Sequence, residues 1–75
     1  MILFDYYEKA KEFANEYGVK TQQGFDWLLY DLKEIYNHQF PEGFEVVIQN
    51  LQKGAYDDPS KGYKSVFEYE MELRT

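Results

Sequence analysis

The segment VFEYEMEL, residues 66–73, decides which fold the sequence predicts. Four apolar residues alternate in it with three glutamates: Phe67, Tyr69, Met71 and Leu73 with Glu68, Glu70 and Glu72. Strict alternation is typical of a strand that buries one face and exposes the other. Because a lone strand leaves its backbone donors and acceptors without partners, the pattern predicts a second strand beside it.

The segment 44–56 is the simplest partner for that strand. It fits two patterns: Phe44, Val47, Ile48 and Leu51 follow a helical period, whereas Phe44, Val46 and Ile48 alternate. The β-branched run 46–48 favours a strand, and the polar segment DDPSKG, residues 57–62, is typical of a turn. Pairing Tyr56 with Tyr63 gives a hairpin with one apolar and one largely acidic face, as a half-exposed sheet requires.

Two helices are predicted before the hairpin. Residues 2–17 place one apolar residue in every turn, at Leu3, Tyr6, Ala10, Phe13 and Tyr17, and Gly18 is a natural stop. Thr21 is predicted to cap a second helix that runs to about Asn37, before a break at residues 39–43. The predicted fold is therefore α+β, with two N-terminal helices followed by a two-stranded antiparallel hairpin (ααββ), as a single domain over residues 1–75.

Composition narrows the function classes. The chain has 75 residues, no cysteine and a net charge of −6, and its aromatic residues are eight Tyr, six Phe and one Trp. A negative chain is unsuited to nucleic acid, which requires Lys and Arg, and a small core cannot hide so many rings, so exposed tyrosines are expected. The N-terminus lacks a basic signal-peptide region and no apolar run is long enough to span a membrane, which predicts a cytoplasmic protein.

The sequence offers little for catalysis. Its one histidine, His38, has only Ser60 and Ser65 as serine partners, and both lie in or beside the predicted turn. The carboxylates are predicted to lie on solvated faces, where their pKa values stay ordinary. Neither a glycine-rich phosphate motif nor a calcium loop occurs. We therefore predict a non-enzymatic protein with no cofactor and no metal.

A helix-turn-helix is the alternative that the first two helices suggest. Ala14, Gly18 and Val19 have the motif's spacing, and a following hairpin would imitate a winged helix. However, the second helix would present Asp26 and Asp31, among other acids, to the DNA phosphates. DNA binding is therefore the least favoured function.

Exposed aromatic and acidic residues are the candidate binding sites. Trp27 and Tyr30 lie on a second face of the second helix, where they either flank the core or form a docking surface. Tyr56 and Tyr63 are predicted at the tip of the hairpin, where they either fold back or form a recognition arm. The predicted partner-binding residues are Trp27, Tyr30, Tyr56, Tyr63, Glu68, Glu70 and Glu72.

Two functions remain open at this stage. The first is a protein-interaction module that docks aromatics into a partner protein, with a possible homodimer through the hairpin or the Trp27/Tyr30 face. The second is a phosphate mimic whose regular glutamates occupy the nucleic-acid groove of an enzyme. Small acidic proteins of phages and mobile elements act in this way, which is an analogy of charge and not of sequence.

Overall fold

The described part of the chain is helical. The computed structural model describes residues 5–38 and 43–74. Within these ranges there are four α-helices, α1 Tyr6–Tyr17, α2 Gln22–His38, α3 Gly43–Lys53 and α4 Val66–Arg74, with a 3-10 helix at Pro59–Lys61. No strand occurs in them, so the predicted α+β fold and its hairpin are wrong. Residues 2–4 of the predicted first helix and residues 39–42 of the predicted break lie outside the described residues. Gly43, the last residue of that break, begins α3.

Capping residues define the ends of α1 and the start of α2. The side chain of Asp5 accepts a hydrogen bond from the Glu8 amide at 3.1 Å, and α1 ends at Gly18, whose φ of 73° is left-handed. Thr21 Oγ1 accepts from the Gly24 amide at 2.9 Å, which satisfies a free donor of the first turn of α2. The predictions of a stop at Gly18 and a cap at Thr21 are confirmed.

The segment predicted as the first strand is α3. It buries Val46, Val47, Asn50 and Leu51, a spacing that belongs to a helix and not to a strand. Gly54 ends the helix with a φ of 73°, and the Ala55 amide donates to the Asn50 carbonyl at 2.9 Å. A run of β-branched residues favours a strand only where a neighbouring strand packs against it. The described residues contain no strand that could pair with residues 46–48.

The segment predicted as the second strand is α4. Ser65 Oγ accepts from the Glu68 amide at 3.0 Å, so Ser65 caps the helix. Glutamate and methionine are better helix formers than strand formers. On a helix, residues two apart point in different directions, so the alternation does not separate one apolar from one polar face. Tyr69 is half-buried, whereas Phe67 is 50% exposed.

The loop after α3 is fastened to the start of α2 by one carboxylate. Asp57 accepts from the Lys20 amide at 3.0 Å, from the Thr21 amide at 2.9 Å and from Thr21 Oγ1 at 2.7 Å. Asp57 thus satisfies backbone donors that precede α2, in a position that also suits the positive end of the helix dipole. The polar turn predicted at residues 57–62 therefore connects two helices and contacts a third.

α2 is the central helix of the core. It packs against α1, α3 and α4, and the molecule measures 33 × 30 × 16 Å. The buried apolar side chains come from all four helices and the loop after α3: Ala10, Leu28, Leu32, Ile35, Val46, Val47, Leu51, Ala55, Tyr56 and Val66. α3 also touches each of the other three helices, so α2 and α3 together form the middle of the described structure.

The buried side chain of Asn50 holds the segment that leads into α4. Its amide nitrogen donates to the Lys64 carbonyl at 2.6 Å, and its amide oxygen accepts from the Lys64 amide at 3.2 Å. Both backbone groups of Lys64 are therefore satisfied by one side chain. This pairing replaces the strand–strand hydrogen bonds that the sequence pattern predicted for this region.

We expect Gly24→Ala to destabilise the protein by about 1–3 kcal/mol, although alanine is the better helix former by ~1 kcal/mol. A methyl group at position 24 would lie 2.5 Å from Asp57 Oδ1 and 3.1 Å from the Tyr56 carbonyl oxygen. The bonds from Lys20 and Thr21 hold Asp57 in place. Urea denaturation measures the difference, with exposed Gln23→Ala as a control within about 0.5 kcal/mol of wild type. A Gly24→Ala variant as stable as wild type would contradict this packing.

Candidate functional site

A buried aspartate, Asp31, lies at the centre of the most polar part of the interior. Its exposed fraction is 0%. The hydroxyl of Tyr56 donates to its Oδ2 at 2.8 Å, and the hydroxyl of Tyr63 donates to Oδ1 and Oδ2 at 3.1 and 3.3 Å. The backbone amide of Val66, in the first turn of α4, lies close enough to lower the pKa of the carboxylate. Asp31 therefore connects α2 to the loop after α3 and to the start of α4.

Burial changes the acidity of this cluster. Burial raises the pKa of Asp31 from 3.8 to about 6, while the bonds from Tyr56, Tyr63 and Val66 oppose that rise and the charge of Glu34 adds to it. Burial and the charge of Asp31 raise the pKa values of both tyrosines above their usual range. The two tyrosines therefore remain protonated donors near neutral pH, while Asp31 titrates near pH 6.

The two tyrosines predicted at a hairpin tip are interior residues. Tyr56 is 1% exposed and Tyr63 is half-buried. Their rings lie 5.7 Å apart at an interplanar angle of 68°, an edge-to-face contact. The predicted recognition arm therefore has no counterpart in the described residues, and the tyrosines serve first to hold Asp31.

An exposed aromatic surface continues outward from this cluster. The Trp27 ring lies 5.5 Å from Tyr63 and 6.2 Å from Tyr30, and Trp27 and Tyr30 are 38% and 49% exposed. We call Trp27, Tyr30 and Tyr63 the aromatic face. The structure thus brings four predicted site residues together, since Tyr56 lies directly behind the aromatic face.

The three predicted glutamates do not form one panel. Glu68 and Glu72 lie one turn apart on the exposed side of α4, whereas Glu70 is half-buried on another side. Glu72 is paired with Lys64 at 2.8 Å. Glu68 is close enough to Tyr63 for its charge to raise the pKa of that hydroxyl. Glu68 is therefore the predicted glutamate with a shown effect on the aromatic face.

A cavity of about 330 Å³ lies between the C-terminal ends of α1 and α3 and the loop before α4. Lys20, Lys53 and Lys61 line it, together with Asp57 and Asp58. Two carboxylates and the negative ends of two helix dipoles offset much of the lysine charge. The cavity is therefore nearly balanced in charge, and it lacks a strong preference for an anion.

The chemistry available at Asp31 is limited by its burial. A pKa near 6 suits a general acid or base, but a substrate cannot reach a carboxylate that has no exposed surface. Among residues 5–38 and 43–74, no three acidic or histidine side chains converge as metal ligands would. The side chain of His38 lies outside the described part of the structure.

Asp31 is the site residue that sequence reasoning missed. The sequence predicts it on a solvated face, yet it lies three residues after Leu28 and four before Ile35, on the buried stripe of α2. An aspartate on an apolar stripe needs hydrogen-bond donors. That requirement and the surplus of tyrosines together indicate that tyrosine hydroxyls donate hydrogen bonds to Asp31.

Comparison with known proteins adds no identification. No protein-family model matches the chain, and neither a curated protein nor a solved structure shows significant similarity to it. Of the helices in the described ranges, none combines the length and apolarity required to cross a bilayer. The function must therefore be inferred from the geometry above.

We expect Asp31 to make the folded state less stable as the pH rises. Its pKa is about 6 when folded and 3.8 in the reference state. The folded protein therefore holds the proton more tightly, and the contribution present below pH 3.8 is lost as the pH rises through about 6. Its full size is on the order of 3 kcal/mol.

Urea denaturation of wild type and Asp31→Asn between pH 4 and pH 7.5 isolates this contribution. The free energy of unfolding of wild type should fall relative to that of Asp31→Asn across this interval. The pH dependence that comes from all other carboxylates is the same in both proteins and cancels in the difference. A constant difference between the two proteins would show that Asp31 has an ordinary pKa.

Proposed function

We propose that this protein is a non-enzymatic interaction module that binds a positively charged segment of a partner protein on the aromatic face. Trp27 and Tyr30 act as the anchors, and Tyr63 supports them from the side. Tryptophan and tyrosine are the residue types most enriched among those that dominate binding energy in protein interfaces.

The observation that carries this proposal is that Trp27 is both exposed and supported. Its side chain is 38% exposed, yet its ring packs on Tyr63, whose hydroxyl is bonded to buried Asp31. An anchor that is already held in position loses little conformational entropy when a partner binds. Exposed rings leave more apolar surface in contact with water than polar side chains do. Their presence at this position favours a binding role.

The charge around the face supports a basic partner. The chain carries a net charge of −6. The charge of Glu34 acts on Asp31, which lies behind the face, and the charge of Glu68 acts on Tyr63, a member of the face. Arginine and lysine bind aromatic rings by cation–π contact, and acidic neighbours accelerate their approach. The same contact occurs within the chain, where Lys11 Nζ lies 4.5 Å from the Tyr7 ring centre.

Site-specific photo-crosslinking in a lysate of the source organism tests the proposal. A photoreactive residue replaces Tyr30 on the aromatic face or Tyr36, which is 42% exposed but lies on a different side of α2. We expect a discrete adduct from position 30 that is absent from position 36. The partner identified in the adduct is then purified without the crosslink, and its affinity for this protein is measured by calorimetry.

The same purified partner gives the quantitative prediction. Trp27→Ala should weaken binding at least tenfold, or about 1.4 kcal/mol, because it removes the central anchor. Tyr36→Ala should stay within about twofold of wild type, and both variants should keep the wild-type circular dichroism. Equal crosslinking at positions 30 and 36, or an unchanged affinity in Trp27→Ala, would contradict the proposal.

Two other outcomes identify different binding modes. An adduct of two copies of this chain, with a dimer seen by light scattering, would replace the basic partner by self-association. Loss of binding in the triple variant Glu68→Gln, Glu70→Gln and Glu72→Gln, with steep weakening as salt rises and no effect of Trp27→Ala, would support the phosphate mimic.

A further inference from the structure

We propose that the aromatic face is proton-linked: ionised Asp31 holds Tyr63 beneath Trp27, and protonation of Asp31 releases Tyr63 and loosens the face. The coupling between protonation of Asp31 and the position of Tyr63 depends only on the contacts within the buried cluster. Its consequence for binding rests on the function proposed above.

The cluster distinguishes its two tyrosines. The hydroxyl of Tyr56 lies 2.8 Å from Asp31, and Tyr56 is only 1% exposed. The hydroxyl of Tyr63 instead divides its hydrogen bond between the two carboxylate oxygens of Asp31, at 3.1 and 3.3 Å. Tyr63 is also half-buried, so its hydroxyl can exchange its bond to Asp31 for one to water. Tyr63 is therefore the member that moves when the carboxylate weakens as an acceptor.

Protonation weakens the carboxylate in two ways. Hydrogen bonds to an ionised acceptor are about twice as strong as neutral ones, so each donor loses attraction. The added proton also turns one oxygen from an acceptor into a donor. The shared bond of Tyr63 uses both oxygens, so it cannot be kept in its present form.

The titratable and charged groups around Asp31 are few. Tyr56 faces it from the loop after α3, Tyr63 from the segment before α4, and Glu34 acts on it from α2 itself. Glu68 of α4 acts on Tyr63, and α3 contributes the uncharged amide of Asn50 beside Tyr56. Lys64, next to Tyr63 in the chain, is a basic group on this side, and it pairs with Glu72 at 2.8 Å. Burial is the largest cause that raises the pKa of Asp31 to about 6.

The single tryptophan makes the movement measurable without a partner. Trp27 is 5.5 Å from Tyr63, so its emission reports the position of that ring. We expect one emission transition with a midpoint near pH 6 in wild type, coincident with the Asp31 carboxyl signal in an NMR titration. Asp31→Asn should abolish the emission transition. An unperturbed histidine ionises in the same pH range, so His38→Gln is the control and should retain the transition.

Tyr63→Phe separates a link through Tyr63 from a general effect of charge. The variant keeps the ring and removes the hydroxyl. In it, we expect the carboxyl signal of Asp31 to titrate at a higher pH, because a donor that lowers its pKa is lost, while Trp27 emission stays constant. Should Asp31→Asn not fold, Tyr63→Phe alone decides the matter.

Three results would overturn the proposal: a transition that persists in Tyr63→Phe, one that disappears in His38→Gln, or Asp31 titrating in wild type without a change in emission. The purified partner gives the last test. If only the ionised form binds, affinity at pH 5 should fall roughly tenfold from its value at pH 7.5. Binding that depends on Trp27 but not on pH would defeat only the proton link. An emission transition without binding at the face would defeat only the interaction module.

Discussion

The fold depends on one buried carboxylate. Asp31 projects from the central helix α2 and accepts hydrogen bonds from residues that belong to the two segments following α3. Without those donors, a charge with no exposed surface would be so unfavourable that Asp31 would fold as the neutral acid instead. Since Tyr56 and Tyr63 satisfy it, the same charge fixes where the loop after α3 and the start of α4 lie.

Local signals were sufficient for the first half of the chain and insufficient for the second. Gly18 and Thr21 mark helix ends by their own chemistry, and the apolar period of α2 is long enough to exclude a strand. Residues 66–73 are short and alternate, so their periodicity predicts a strand. The cap at Ser65, three residues before Glu68, and the stop at Gly54 after Lys53 were the opposing signals.

The candidate site divides in the same way. Trp27 and Tyr30 could be recognised from helical spacing because both lie on one continuous helix. The burial of Tyr56 and Tyr63 depends on contacts with Asp31 across 25 and 32 residues, which spacing alone does not encode. The wrong strand prediction also placed Glu70 and Glu72 on one face, whereas in a helix these two residues point in different directions. Part of the aromatic surplus is exposed as the sequence predicts, at Tyr7, Tyr30 and Tyr36, whereas Tyr56 and Tyr63 supply hydroxyl donors to the interior.

The double hydrogen bond between Asn50 and the backbone of Lys64 has a consequence for the variation that this position tolerates. An aspartate there would place one carboxylate oxygen against the Lys64 carbonyl oxygen, where neither atom can donate, and a leucine would leave an amide and a carbonyl unsatisfied. Only a primary amide of this length offers one donor and one acceptor in the correct order. We therefore expect position 50 to admit a single residue type in working relatives, while the neighbouring exposed positions 49 and 52 vary freely.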